Sequence, residues 1–136
     1  MSDKKKLDRT IAQIDSYVES WKQFNTFINL ARAKKFSAED EEQLKEVKRL
    51  LVQELEMILA SFETPPINRE DIHGVISSAS SIRALSEMSE NALRNLEVQW
   101  NKIDMTLNSI LGQLKVQQQN LEGKSFWSSL FGGKKK

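Results

Sequence analysis

The chain has 136 residues and a mass of 15.6 kDa, with 39% hydrophobic and 29% charged residues, no cysteine and one histidine. That length suits one domain with a core of its own, and the missing thiols exclude disulfides, thiolate metal sites and cysteine nucleophiles. The formal charge of +1 hides an asymmetry: residues 7 to 123 hold 13 Lys+Arg against 18 Asp+Glu, a net of −5, while the first six residues carry +2 and the last thirteen +4. Phosphate binding needs a basic face on the folded part, so an acidic body makes nucleic acid an unlikely ligand. With Gly 5 and Pro 2, the composition does not suit a turn-rich β fold.

The basic stretch at residues 1–6 reads as a solubilising N-terminal arm. No apolar run of signal-peptide length follows it, and no segment approaches the ~20 apolar residues that cross a bilayer. The expectation is a cytoplasmic protein, soluble or held at the inner face of a membrane.

Residues 7–122 read as a helical bundle. In the first helix Leu7, Ile11, Ile14, Val18, Trp21 and Ile28 keep a three-four spacing, which is a heptad seam. Asn25 stands where the next apolar residue is due, and Phe24 beside it is expected to take that space. Lys34 and Lys35 close the helix with charges suited to its C-terminal dipole. Ser37-Ala38-Glu39-Asp40 then reads as an N-cap with an acidic first turn. Leu44, Val47, Leu51, Leu55, Ile58 and Phe62 form the apolar face of the second helix, and Glu41 with Lys45 makes an i,i+4 pair. Thr64-Pro65-Pro66 ends it.

Asn68 caps a shorter third helix, with Asp71 as its three-residue partner and Ile67 and Ile72 at the staple positions. This helix carries Ile72, Val75, Ile76 and Ala79 before the serines from Ser77 to Ser81 weaken it. Residues 82–88 fit either its continuation or a separate turn. The last helix starts after Ser89 and runs to about Glu122 on Leu93, Leu96, Trp100, Ile103, Leu107, Ile110, Leu114 and Leu121, broken by Gln117. The expected fold is all-α: an antiparallel bundle of three long helices and one shorter one, with coiled-coil-like packing. Phe27, Leu30, Val98 and Met105 lie off the seams, so the short helix or a second copy of the chain must cover them; a homo-oligomer is expected.

The residues needed for catalysis are scarce. His73 is the one base of near-neutral pKa, and it has no second histidine or cysteine for zinc. Glu70-x-x-His73 occurs once, whereas di-iron bundles need it on paired helices. No Gly-rich phosphate loop is present. The chain therefore reads as a non-enzyme without cofactor or metal.

The tail, residues 123–136, reads Gly-Lys-Ser-Phe-Trp-Ser-Ser-Leu-Phe-Gly-Gly-Lys-Lys-Lys. At 100° per residue, with Phe126 at zero, Leu130 falls at about 40°, Trp127 at about 100° and Phe131 at about 140°, with Ser125, Ser128 and Ser129 on the opposite arc. Aromatic residues backed by Lys124, Lys134, Lys135 and Lys136 form an interfacial-anchor pattern, with rings at the headgroup boundary and lysines on anionic lipid. Burying four such side chains gives roughly 6–12 kcal/mol gross, most of it offset by ordering the segment. The expected attachment is weak, reversible and salt-sensitive. The same eight residues suit two other roles: a short amphipathic helix entering a partner protein's groove, or a segment packed on its own bundle.

The Leu130-Phe131-Gly132-Gly133 ending, with its aromatic residues and lysines, resembles the C-terminal membrane-targeting helices of bacterial division-site-placement ATPases. The resemblance is confined to the tail and implies lipid contact there. It implies no membership, because the body has no nucleotide-binding motif. Here three lysines follow the glycines, whereas the family places its basic residues within or before the helix.

Overall fold

The computed structural model describes residues 3–130, with side chains described for residues 4–121. These residues form five helices packed on one another: α1 (Asp3–Ala33), α2 (Ala38–Ala60), α3 (Arg69–Ser78), α4 (Ile82–Ser86) and α5 (Glu90–Leu130). No strand occurs among the described residues. Residues 82–86 are thus a separate helix, one element more than the expected four. Its start is set by Ser81, whose hydroxyl accepts from the Ala84 amide at 2.9 Å.

The core is built from the expected seams. Ile11, Ile14, Val18, Trp21 and Ile28 of α1 are buried, and Leu7 packs at their edge. Phe24 is fully buried, while Asn25 beside it is half-buried with its Oδ1 unpaired. Leu44, Val47, Leu51, Leu55 and Ile58 line the inner face of α2. That helix stops at Ala60, so Phe62 packs on the core from the loop beyond it and not from the helix. The Ser61 amide turns back onto the Ile58 and Leu59 carbonyls, ending α2 before the prolines. Phe27 is buried and Leu30 half-buried, and α4 packs against α1.

Caps follow the local chemistry. Ser37 and Asp40 form a reciprocal capping box. Asn68 accepts from the Glu70 amide, and Ser89 from the Ala92 amide. Asp71, expected as the reciprocal partner of Asn68, instead closes the turn with its own amide on the Asn68 carbonyl. At the end of α1, Lys34 takes a left-handed conformation at φ 56. Its amide reaches the Ala31 carbonyl, and the Lys35 amide reaches that of Leu30, which is the Schellman pattern.

Contacts distant in sequence fix how the helices meet. Trp21 and Trp100 stack with centroids 6.2 Å apart and planes 1° from parallel. Each indole N–H donates to the other residue's backbone carbonyl, at 3.1 and 2.9 Å. Tyr17 is fully buried and donates to the Leu51 carbonyl at 2.9 Å, joining α1 to α2. Arg32 makes a two-point ion pair with Glu97, both bonds at 2.8 Å. The Asp8 carboxylate accepts from Gln118 at 2.8 Å. Along α1 the partners on α5 descend in number, from 118 to 100 to 97.

Glu41 departs from its expected pairing with Lys45. Lys45 pairs with Glu42, and the Glu41 carboxylate instead accepts from the Ile82 and Arg83 amides at 2.9 and 3.0 Å. Two unsatisfied amides at the start of α4 are stronger partners for a half-buried carboxylate than an exposed lysine is. Lys48 does the reverse at the end of α3, donating to the Ala79 carbonyl at 2.8 Å; desolvation pulls its ammonium below the usual lysine range. Glu41→Ala is expected to lower stability by about 1–2 kcal/mol and to loosen α4. Urea unfolding measures the first, and amide hydrogen exchange at Ile82 and Arg83 the second.

Candidate functional site

The candidate docking residues sit at the C-terminal end of α5. Lys124, Phe126, Trp127 and Leu130 are part of that helix, which crosses residue 123 without interruption. Their side chains, and all of Phe131, Lys134, Lys135 and Lys136, lie outside the described residues. Residues 3–6 of the basic arm belong to α1.

A continuous helix has one phase from end to end. On the scale that puts residue 126 at zero, the buried residues Leu93, Leu96, Ile103, Leu107, Ile110 and Leu111 fall between about 200° and 300°. Exposed Val98, Met105 and Val116 fall between about 60° and 80° on that scale. Burial and angle therefore agree over the described part of α5. Extended to Leu130, the same phase puts positions 126, 127 and 130 on the exposed arc, at about 0°, 100° and 40°. Ser125, Ser128 and Ser129 take the arc that continues the core side.

Length points the same way. Gln118 pairs with Asp8, five residues from the start of α1 at Asp3. From Gln118 the helix runs on to Leu130, a further ~18 Å against the ~8 Å of α1 that remains described. Where the two helices meet, a cleft of ≈ 500 Å³ opens between Leu7, Thr10, Phe62, Leu114 and Leu121, with Lys6 at its edge. Among the described residues that line it there is no carboxylate and no histidine.

Groups that perform chemistry are dispersed elsewhere. His73 is half-buried on α3 with Nε2 unpaired, in a shallow groove of ≈ 380 Å³ with Glu70, Val52 and Ile76. Its other charged neighbour, Glu56, is held by Arg69 in a two-point pair at 2.7 and 2.8 Å, which keeps that carboxyl below its ordinary range. Among the described residues no three His, Cys, Asp or Glu side chains cluster as metal ligands. No described helix is long and apolar enough to cross a membrane.

The exposed arc of α5 has one feature beyond the tail itself. From Met105 to Leu121, Lys115 is the single charged residue in a protein that is 29% charged. Sequence reasoning found Val98 and Met105 but missed Val116 and this neutrality; the signal was a spacing of eleven residues, about three helical turns, from Met105 to Val116. No protein-family model, curated protein or solved structure matches the chain.

Proposed function

We propose that this chain is a non-catalytic helical scaffold that attaches peripherally to an anionic membrane surface through the C-terminal end of α5. The observation that carries the reading is phase: in a helix unbroken to Leu130, positions 126, 127 and 130 share the arc of the exposed residues. Aromatic residues at helical positions that continue the exposed arc suit an external apolar phase better than a place on the bundle. Continuity also lowers the cost of attachment. A segment that extends an existing helix needs no new nucleus, so more of the burial energy of Phe126, Trp127 and Leu130 remains for binding. Lys124 and Lys134 to Lys136 each add about 1 kcal/mol beside anionic lipid.

In this reading the body is an antiparallel bundle of α1, α2 and α5, with α3 and α4 as short covers. The descending order of partners along α1 and α5 supports that arrangement. The bundle holds the anchor at one end and leaves its acidic faces to other contacts.

The test is vesicle partitioning of the full chain against Phe126→Ser with Trp127→Ser. The double variant is expected to bind anionic vesicles at least tenfold more weakly, with an unchanged helical spectrum. Equal binding would sink the lipid reading. Capture of a single protein by the wild-type tail, lost in the variant, would give the site to a partner's groove.

A further inference from the structure

We propose that the outer face of α5 between Val98 and Gly123 is the contact surface for a second copy of this chain, the two helices running antiparallel about a two-fold axis level with residue 114. Three observations carry this. Val98, Met105 and Val116 are 49%, 63% and 56% exposed on one arc of the helix, and among the described residues no other helix covers them. The stretch from residue 105 to 121 has Lys115 as its single charge, so burying its exposed arc desolvates almost no charge and sets few like charges against each other. Gly112 lies on the same arc, and a Cβ added there meets nothing within 4 Å.

The glycine is the telling element. Glycine inside a helix is unfavourable relative to alanine, and among the described residues nothing approaches residue 112 closely enough to require it. A second backbone does. The outer arc also repeats as a seam, with residues 98, 105, 112 and 119 spaced by sevens and 102, 109, 116 and 123 spaced likewise four residues later, Lys102 at the outer end being the one charged residue among them. An antiparallel pair whose facing residue numbers sum to 228 sets Met105 against Gly123, Gly112 against Val116 and Ser109 against Gln119. Each layer then matches a larger side chain with a smaller one, twice over by symmetry. A parallel pair would set Gly112 on Gly112 and Met105 on Met105, leaving a hole beside a clash. Lipid is a poorer occupant for this stretch, because one lysine among Asn, Gln, Ser and Gly offers little to an anionic leaflet. Lys115 sits on the flank of the seam, where its head stays in water.

The inference does not depend on lipid contact at the tail.

Sedimentation equilibrium of the full chain tests the surface, and cross-linking tests the register. The wild type is expected to dimerise, and Met105→Glu to weaken association by about tenfold or more. Gly112→Leu is expected to raise the melting temperature of the dilute monomer while weakening the dimer, which a merely structural glycine would not do. The chain lacks cysteine, so single cysteines report cleanly. A mixture of Met105→Cys and Gly123→Cys chains should form a disulfide between them. Met105→Cys alone should not, since its copies lie about 27 Å apart along the axis. A monomer at every concentration, a dimer indifferent to Met105→Glu, or self-linking of Met105→Cys would each overturn the proposal. A monomeric wild type whose vesicle binding falls with Met105→Glu would assign the face to lipid instead. Failure of the tail to bind vesicles leaves these results unchanged.

Discussion

Trp21→Ala is expected to cost about 3–5 kcal/mol of stability, as truncation of a large buried aromatic does. Trp21 is fully buried, stacked on Phe24 at 5.7 Å and on Trp100 at 6.2 Å. Its removal opens a cavity between α1 and α5 and strands the Trp100 ring on one side. The loss is a large share of the roughly 5–15 kcal/mol that holds a domain together. Trp21→Phe separates the two contributions: it keeps much of the stack and loses the indole donor to the Trp100 carbonyl, at about 1 kcal/mol. Urea denaturation followed by circular dichroism measures both. Equal small losses would mean that the paired indoles do not hold α1 to α5.

Alkaline pH should destabilise the protein through Tyr17. Burial pushes this phenol well above its ordinary value of 10.0, with the nearby Glu54 charge adding to the effect. The native state therefore keeps the Tyr17 proton over a range in which the unfolded chain has lost it. The unfolded state binds fewer protons there, so stability is undiminished below pH ~10 and falls above it, by about 1.4 kcal/mol per pH unit while the difference persists. Between pH 10 and 12 the loss reaches about 2–3 kcal/mol. The chain has one tyrosine, so tyrosinate absorbance reports this group alone and should rise together with the loss of helix. Tyr17→Phe should remove most of the slope, at a cost near neutral pH of about 1 kcal/mol for the bond to the Leu51 carbonyl. Tyrosinate absorbance appearing near pH 10 in a chain that stays helical would contradict the burial argument.

What could be read in the sequence was what neighbours in the chain decide. The apolar spacing of Ile11 to Ile28 and of Leu93 to Ile110 marked the buried faces, and Ser37, Asn68 and Ser89 marked helix starts, because caps and stripes act within a few residues. Interactions between distant residues were hidden. Glu41 was assigned to Lys45 four residues on, whereas its partners are amides 41 and 42 residues away. Tyr17 drew no notice because it lies one position from Val18 on the seam, and its partner carbonyl belongs to another helix. The reciprocal indole bonds of Trp21 and Trp100 likewise exist once α1 and α5 meet, and neither residue implies the other. At the candidate site the two-turn segregation of the tail was legible. The relation of that face to the core was not, because it depends on whether the helix breaks at Gly123 or continues through it.

The central claim is that the chain reaches a membrane through the end of α5, and co-flotation with vesicles tests it most directly. Full-length protein should rise with phosphatidylserine-containing vesicles at low salt, remain behind with neutral ones, and be released at high salt as the lysine contribution is screened. A chain ending at Gly123 should stay at the bottom of the gradient in every condition. Equal flotation of both chains, or none by either, would contradict the account.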